Sequence, residues 1–530
     1  MSPANQLALP LHHRNYDIGG RQAPTLRIGR DCKNFVNNSF VLAIDIGTSS
    51  TRAILFNSRG HKVGEPIQKT YHQKTTPDGG VEIDADFLLE LTAQCVDGVL
   101  QSQADALQNG EVIAVGISCF WHSLLAIDAN DQAATGVLSW ADNRAASWVP
   151  ALRSLLDETQ THARTGCVFH TSYWPAKLLW LQHARPELFE GDGENARWMS
   201  FAEYLHLKWN GAAKCSLSSA SGTGIFHQNN ADWDDEVLQI LPIGRAQLPE
   251  LCDAHDALPA LLPEYSARWP QLKNASWFPT LGDGACSNLG TGGIDDSRLI
   301  LNAGTSGALR VVLPEYSGEA PRGLWRYRVD ANRSIVGGAI SNFGNILLWA
   351  RSTLLLPEDW REQISQIAPD SHGLTILPFL AGERSPLWNA NAKFVLDGAT
   401  LDTSPILILR AATEAAALRF AAVAELAIQA MPQKPTEIIY SGGALEAVPA
   451  WAQIVCDAIG IPLVQGCESE ASARGAAMMA LESCGAISNI SDLPAQQGAR
   501  LEPNLAHHET YRRALERQNA LYLDLFPLHN

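Results

Sequence analysis

The chain has 530 residues, of which 46% are apolar and 18% charged, and its formal net charge at pH 7 is −17. This length exceeds what one hydrophobic core supports, so two large domains are expected, and the composition excludes a disordered or fibrous protein. The negative charge argues against nucleic acid or an anionic membrane as a partner, because both bind basic surfaces. The longest apolar region, Ile406–Met431, is interrupted by charged residues and is expected to be an internal helix, not a membrane span.

Ten cysteines are scattered from Cys32 to Cys484, without a Cys-x-x-Cys pair or a Cys/His cluster at zinc-binding spacing. This pattern is typical of reduced, buried thiols and predicts a cytoplasmic protein. Residues 1–39 lack the continuous apolar run of a secretory signal. We expect them to form a flexible N-terminal extension, with a targeting peptide as the alternative.

The first element predicted along the chain is a β-hairpin with a turn of small residues. The apolar run Val41–Ile44 ends at Asp45, and Gly47-Thr48-Ser49 leads into a second apolar run, Ala53–Phe56. Such a turn lets backbone N–H groups and hydroxyls approach phosphate oxygens, and the Asp45 carboxylate is a candidate ligand of Mg²⁺, directly or through water. The chain has no Gly-x-x-x-x-Gly-Lys-Ser/Thr sequence, so a P-loop is excluded. A tight turn that simply needs glycine is the alternative.

The elements after this hairpin predict an α/β fold. Asp84 can cap the N-terminus of a helix with Leu88 and Leu91 on its apolar face, and Val112–Ile117 then forms a buried strand. The order strand, helix, strand is typical of a layered α/β domain.

A second hairpin of the same kind follows far downstream. Leu299–Leu301 runs into Asn302-Ala303-Gly304-Thr305-Ser306-Gly307, and Leu309–Val312 leads away. Because this hairpin is similar to the first, the sequence predicts a duplicated fold with a cleft between its halves. The boundary is expected between Thr291 and Arg298, which gives an N-terminal domain of residues 40–293 and a C-terminal domain of residues 294–530.

A third turn of small residues, Ser441-Gly442-Gly443-Ala444, follows the predicted buried strand Ile438–Tyr440. All three turns come directly after a buried strand, and ligands of α/β sheets collect at the carboxyl ends of strands. We therefore predict that Gly47-Thr48 and Gly304-Thr305 hold nucleotide phosphates from opposite sides of the cleft. The third turn would bring its backbone against a flat adenosine, because a side chain there would obstruct it.

Asp283 is the candidate catalytic residue. It stands in Gly282-Asp283-Gly284-Ala285, where the flanking glycines allow a ligand to approach closely and suit a carboxylate that contacts a hydroxyl. The alternative is an aspartate that stabilises a turn.

These motifs resemble those of the FGGY carbohydrate kinases, and the resemblance extends from Val41 to Ser488. It implies an α/β fold of two actin-like ATPase (RNase H-like) domains with a cleft between them, and it implies ATP and Mg²⁺ as cofactors. Three intervening segments look most like the gluconate kinase branch. The family motifs are Ala43-Ile44-Asp45-Ile46-Gly47-Thr48-Ser49, Gly282-Asp283-Gly284-Ala285, Asn302–Gly307 and Ser441–Ala444, and the three segments are Trp121–Asp128, Ser139–Arg144 and Gly382–Pro386.

By this resemblance, Asp283 is the base that accepts the proton of the acceptor hydroxyl. Asp45 is expected to hold Mg²⁺. The residues expected to bind ATP are those of the three turns, namely Gly47, Thr48, Ser49, Gly304, Thr305, Gly442, Gly443 and Ala444.

Four residues of the first half are expected to bind the substrate: Trp121, His122, Asp142 and Arg144. The planar guanidinium of Arg144 suits a sugar-acid carboxylate or paired hydroxyls, although Arg144 and Asp142 pairing with each other is the alternative. His122 has the alternative of a core histidine. Gluconate kinases tend to have Met where this chain has Trp121, whose bulk would change the shape of the pocket.

Three further residues have less specific expectations. Glu383 and Arg384 are expected to act as a pair in domain closure or at the edge of the substrate. Lys177 is expected at the rim of a packed helix.

The predicted function is ATP-dependent phosphorylation of a sugar or sugar acid, with D-gluconate to 6-phosphogluconate as the first choice. Xylulose, or another ketopentose or polyol, is the alternative acceptor. A non-catalytic ATP-binding sugar sensor is the alternative of another class, and Asp283 argues against it because a sensor needs no base at the acceptor hydroxyl. The expected partner is a small sugar or sugar acid, and a homodimer is one candidate assembly.

Overall fold

The computed structural model describes residues 38–314 and 318–527. The flexible extension predicted for residues 1–39 therefore lies outside the described residues, except for its last two. The chain from Val36 onward forms one compact unit. Among the described helices, none combines the length and the apolar character needed to cross a membrane.

The N-terminal half is built on a mixed six-stranded sheet. β1 (Ser39–Ile46), β2 (Ser50–Asn57) and β3 (Lys62–Thr70) form an antiparallel meander, and β4 (Glu111–Cys119) lies parallel to β1. Two short strands, β5 (Ser276–Trp277) and β6 (Leu281–Gly282), pair parallel to β4. The first predicted hairpin is therefore confirmed.

The C-terminal half repeats this topology in a seven-stranded sheet of order β9-β10-β8-β7-β11-β12-β13. Its strands are β7 (Arg298–Ala303), β8 (Gly307–Pro314), β9 (Trp325–Arg328), β10 (Arg333–Ile340), β11 (Glu437–Ser441), β12 (Leu463–Gly466) and β13 (Gln497–Leu501). The antiparallel strands β10-β8-β7 are followed by the parallel β11, as β3-β2-β1 are followed by β4. The duplication predicted from the two hairpins is confirmed.

Helices pack around the two sheets. Those used below are α1 (Ala85–Ser102), α2 (Trp174–Ala184), α3 (Phe201–Asn210), α4 (Asp283–Gly290), α5 (Gly344–Thr353), α6 (Pro405–Gln429), α7 (Pro449–Ile459), α8 (Ala471–Ser483) and α9 (Leu505–Leu525). The Asp84 side chain caps α1 by accepting from the Phe87 N–H at 2.8 Å, as predicted.

The remaining elements are short. The other helices are Ala104–Gln108, Val149–Leu155, Glu158–Thr165, Leu217–Ser221, Asp235–Leu238, Pro263–Arg268, Trp360–Gln366 and Gly443–Ala447. Short strands form ribbons at Lys74–Thr75, Val81–Ile83, Leu125–Ile127, Val137–Leu138, Arg197–Met199, Lys214–Ser216, Phe226–His227, Asp232–Trp233, Glu250–Cys252, Thr375–Leu377 and Val395–Asp397.

Helix α8 belongs to the C-terminal part of the chain but packs on β1, β4 and α4 of the N-terminal half. The backbones of α8 and α4 approach so closely that a Cβ on Gly475 would overlap the carbonyl oxygen of Cys286. An apolar core shared by both halves surrounds this contact and includes Leu289, Val312 and Met478. The predicted C-terminal domain thus contains a helix that fixes α4, the helix that begins at Asp283.

The close contact between α8 and α4 can be tested with Gly475→Val. A side chain at this position must push the two helices apart, and such overpacking typically destabilises a protein by about 1–3 kcal/mol. We expect a lower melting temperature by calorimetry or circular dichroism. Ser472→Ala, on the same helix, is the matched control and should melt like the wild type; equal melting of the Gly475→Val protein would contradict the contact.

Candidate active site

Parallel pairing brings the ends of three strands to one edge of the N-terminal sheet. Cys119, at the end of β4, pairs with Ile46 of β1 on one side and with Gly282 of β6 on the other. Asp45 precedes Ile46 and Asp283 follows Gly282, so the two carboxylates lie at the same edge and interact electrostatically. The carboxyl edge of a sheet is where ligands of α/β proteins bind.

Asp283 is held at the N-terminus of α4. Its Oδ1 accepts from the Gly284 N–H at 2.8 Å, and a helix N-terminus favours negative charge. Burial raises the pKa of Asp283, and the positive charge of Arg310 opposes that rise. A carboxylate with a raised pKa is suited to accept a proton from a hydroxyl.

The indole of Trp121 lies against the backbone on both sides of Asp283. A Cβ on Gly282 would overlap the indole, and a Cβ on Gly284 would lie 2.5 Å from its Cζ3. Trp121 Nε1 donates to the Ser218 carbonyl oxygen at 2.9 Å. The glycines were expected to make room for a ligand; in the structure they make room for Trp121, which forms a wall beside the carboxylate.

Asp45 occupies a buried position next to cationic and hydroxyl groups. Ser118 Oγ donates to its Oδ1 at 2.9 Å, and Arg52 Nε lies 3.5 Å from its Oδ2. Burial raises the pKa of Asp45 to about 6 despite the Arg52 charge, with smaller contributions from Asp283 and Glu470. Arg52 also contacts Glu470 at 2.8 Å, so a single guanidinium interacts with the carboxylates of both Asp45 and Glu470.

The first two turns present uncommitted hydroxyls. The Gly47 N–H donates to the Ser50 carbonyl at 2.9 Å, and Gln73 Nε2 donates to the Thr48 carbonyl at 2.6 Å, so the backbone of the first turn is fixed. Within the described ranges, the side-chain hydroxyls of Thr48, Ser49 and Thr305 make no hydrogen bond, and Ser49 and Thr305 are exposed. Such hydroxyls are available to phosphate oxygens.

The second and third turns are packed together. Gly344 N–H, at the start of α5, donates to the Gly304 carbonyl at 3.0 Å, and the Ala444 methyl lies close to Gly344. Gly442 has φ 117° and passes directly over Ala303, whereas a Cβ on Gly443 would meet no atom within 4 Å. The space beside Gly443 is open enough for a flat adenine. Together with the side-chain hydroxyls of the first two turns and the Asp45 carboxylate, this makes the residues present compatible with ATP and Mg²⁺.

His122 lies next to Trp121, with φ 67° and the centre of its ring 6.3 Å from that of the indole. Its Nδ1 contacts the Gly222 carbonyl oxygen, so Nδ1 carries the proton and Nε2 is left as an acceptor. Burial lowers the pKa of His122 to about 3, and the ring is therefore neutral. Its ring packs against Tyr173 and Tyr327 at centroid distances of 4.9 and 5.5 Å.

Asp142 and Arg144 are paired with each other. Arg144 Nη2 contacts Asp142 Oδ2 at 2.5 Å and Glu82 Oε2 at 3.1 Å, and its guanidinium lies 4.5 Å from the centre of the Trp180 ring. Asp142 is fully buried and also accepts from the Val81 N–H at 3.0 Å. The structure therefore favours the ion pair over the predicted substrate contact, because the Asp142 oxygens already have partners.

Lys177 was expected at a helix rim, and that prediction is wrong. The side chain is fully buried, and Nζ donates to the carbonyl oxygens of His122, Ser139 and Ser172 at 3.1, 2.8 and 2.9 Å. Burial lowers its pKa to about 7. Lys177 thus ties together the loops that carry His122 and the Asp142–Arg144 pair.

Glu383 and Arg384 do not act as a pair, because their side chains point to different parts of the structure. Glu383 lies 3.8 Å from Arg419, and both line a small pocket in the C-terminal half. Arg384 instead interacts electrostatically with His122; its guanidinium is 5.8 Å from the centre of the Trp140 ring, and Nη2 donates to the Ile340 carbonyl at 3.2 Å. It interacts electrostatically with Tyr173 and Tyr327.

Comparison with known proteins decides the family. The model of the FGGY family of carbohydrate kinases, N-terminal domain, matches residues 40–290, and the model of the C-terminal domain matches residues 299–484. This chain belongs to the FGGY family of carbohydrate kinases. The two-domain, actin-like fold implied by the sequence resemblance is confirmed.

The relatives of this kinase include more than one acceptor class. It is 26% identical over 477 residues to a gluconokinase of Bacillus subtilis (strain 168), covering 86% of this chain and 90% of that protein. It is also 26% identical over 498 residues to a xylulose kinase of Escherichia coli (strain K12), covering 92% and 99%. A solved structure of gluconate kinase from Lactobacillus acidophilus matches with a TM-score of 0.83 and 27% identity, covering 92% of this chain and 98% of that one.

Sequence reasoning missed several charged residues of this kinase site. Arg52 and Glu470 contact each other although 418 positions separate them, and nothing local to Glu470 indicates the contact. Arg310 was assigned only to a strand. The one sequence signal for Arg52 and Arg310 was that each is a charged residue on the second strand of a hairpin predicted to bind phosphate.

The buried charge of Asp45 predicts a pH-dependent stability. Because the folded-state pKa of about 6 lies above the ordinary 3.8, folding favours the protonated form, and stability falls as the pH rises from about 4 through 6. Asp45→Asn should therefore raise the free energy of unfolding at pH 7.5, by at most about 3 kcal/mol, and change it much less at pH 4. Denaturant unfolding at both pH values measures this, with Asp296→Asn as the control; an equal effect at the two pH values would count against it.

Proposed function

We propose that this kinase transfers the γ-phosphoryl group of ATP to a hydroxyl of a sugar acid, with D-gluconate as the acceptor and 6-phosphogluconate as the product. The proposal rests on the surroundings of Asp283: it shares a sheet edge with Asp45, which precedes the first turn, and Trp121 beside it packs against Tyr327, which interacts with the Arg384 guanidinium. Relatives named gluconokinase, matched over most of the chain, support it.

Asp283 would act as general base. Its carboxylate takes the proton of the acceptor hydroxyl while that oxygen attacks the γ-phosphorus, and ADP leaves. The turn hydroxyls and N–H groups position the phosphates, and positioning supplies much of the acceleration in phosphoryl transfer. Asp45 would hold Mg²⁺, directly or through water, where the ion would neutralise charge on the phosphates.

Arg384 favours an anionic acceptor over a neutral one. Within the described residues its guanidinium makes no ion pair with any carboxylate, and burial lowers its pKa because the charged form is poorly solvated. A sugar-acid carboxylate would supply the missing partner through charge-assisted hydrogen bonds. A neutral ketopentose would leave this half-buried cation without an anionic partner, which is unfavourable.

A panel of acceptors tests the function. We expect ADP release, coupled to formation of a phosphorylated product, with the highest kcat/KM for D-gluconate and lower values for D-xylulose and glycerol. Asp283→Asn should lower the rate with every acceptor by about 10²–10⁴-fold, while Asp296→Asn should match the wild type. Preference for xylulose would support the ketopentose alternative, and ATP hydrolysis without sugar or phosphorylated product would support the sensor.

Substitution of Arg384 tests the acceptor class. Arg384→Gln removes a charge-assisted interaction, so KM for D-gluconate should rise by about 10- to 100-fold, while KM for a neutral polyol changes little. Arg351→Gln, on the exposed face of α5, is the matched control and should behave like the wild type. A parallel rise for acid and polyol would argue against a carboxylate contact.

A further inference from the structure

Arg310 of β8 connects the region around Asp283 with the third nucleotide turn. We propose that Arg310 is a positioning residue for phosphoryl transfer, which holds Asp283 ready as the base and links it through Asn302 to the turn Ser441–Ala444. This inference rests on the proposed role of Asp283.

The guanidinium of Arg310 lies against the backbone that carries the base. A Cβ on Gly284 would stand 3.3 Å from Arg310 Nε, and a Cβ on Gly337 of β10 would stand 2.9 Å from Arg310 Cγ. These two glycines leave a channel for the arginine side chain between the halves. In the described ranges Arg310 and Asp283 form no direct ion pair, so the guanidinium acts across a gap beside the carboxylate.

Hydrogen bonds continue from Arg310 to the nucleotide side. Arg310 Nη1 donates to Asn302 Oδ1 at 2.7 Å, and Asn302 Nδ2 donates to Ser441 Oγ at 2.7 Å. Asn302 and Ser441 are also register partners in the parallel β7–β11 pair. Ser441 comes directly before Gly442, so these hydrogen bonds join the third turn to the guanidinium near Asp283.

The duplicated hairpins share this arrangement. In the first hairpin, Asp45 stands two residues before Gly47 and contacts Arg52 of the return strand at 3.5 Å. In the second, Asn302 stands two residues before Gly304 and contacts Arg310 of the return strand at 2.7 Å. Each of the first two turns thus has an arginine held by the residue two positions before its glycine, and the second arginine lies near the Asp283 carboxylate without pairing with it.

An uncompensated cation in this position needs a functional reason. Nε of Arg310 is buried and has no hydrogen-bond partner among the described residues, and a buried unpaired donor destabilises a fold. An apolar side chain would fill the channel without that penalty. The retained guanidinium is explained if its charge acts on Asp283 and on the groups that react beside it.

The charged and titratable groups that face Asp283 determine in which direction its pKa changes when Arg310 is replaced. Arg310 faces it from β8, the like charge of Asp45 faces it from β1, and the thiols of Cys119 and Cys286 face it from β4 and α4. Burial raises the pKa of both thiols, which are therefore neutral. Arg310 is then the main opposing charge, and its removal raises the pKa of Asp283.

The experiment compares the pH dependence of kcat/KM for wild type, Arg310→Met and Arg310→Lys, with the best acceptor from the panel and saturating Mg-ATP. The acid limb reports ionisation of the base. We expect Arg310→Met to move this limb upward by about one pH unit, with activity partly restored at high pH, and Arg310→Lys to keep the limb near the wild-type position. Arg328→Gln, an arginine of β9 that instead donates to the Gln228 and Ala331 carbonyls, should leave the limb unmoved.

A second measurement tests the link to the nucleotide. Asn302→Ala keeps the arginine but breaks both hydrogen bonds, and we expect ADP to bind more weakly by about fivefold in calorimetric titration. Superimposable pH profiles, or a uniform fall in rate at every pH in Arg310→Met, would overturn the inference while leaving the kinase assignment intact. Absence of transfer to any acceptor by the wild type would instead overturn the proposed function, and the inference with it.

Discussion

Two carboxylates share one largely buried sheet edge, and the rest of the site depends on how their charge is balanced. Asp45 and Asp283 come to this edge because β1 and β6 both pair parallel to β4. Burial raises the pKa of both acids and so favours their protonated forms. An arginine from each duplicated hairpin opposes this, Arg52 at Asp45 and Arg310 at Asp283. Because burial and arginine charge oppose each other, the Asp45 carboxylate is suited to bind a cation and the Asp283 carboxylate is suited to accept a proton.

The two halves of the molecule are joined at this point and contribute different functions to it. The N-terminal half supplies both carboxylates, the first turn and the wall formed by Trp121. The C-terminal half supplies the second and third turns, Arg310 and Arg384, and also helix α8, which fixes the helix beginning at Asp283. Because Asp283, the three turns and Arg384 come from elements that pack on one another, their geometry is set by the same core that stabilises the fold.

The charge of Arg384 distinguishes an acidic from a neutral candidate substrate better than overall sequence identity does. The gluconokinase and the xylulose kinase named above are each 26% identical to this chain. The Asp142–Arg144 pair is satisfied internally, so it offers little discrimination. Arg384 is different, since it crosses from the C-terminal half and has no carboxylate partner in the described part of the chain. An acidic acceptor fits that site on electrostatic grounds.

The sequence by itself determined the local features: both hairpins, the small-residue turns after buried strands, the cap at Asp84 and the position of Asp283 in a glycine-flanked motif. These follow from steric preferences and apolar patterns within a few residues. Only the tertiary structure decided which charges meet. Arg52 contacts Glu470 and Arg384 lies near Trp140 across long stretches of chain, and Arg310 lies near Asp283 without pairing with it. Lys177 proved to be buried because it donates to the carbonyl groups of three residues, two of which are distant in the chain. Such partners depend on how strands and helices pack, which no local pattern encodes.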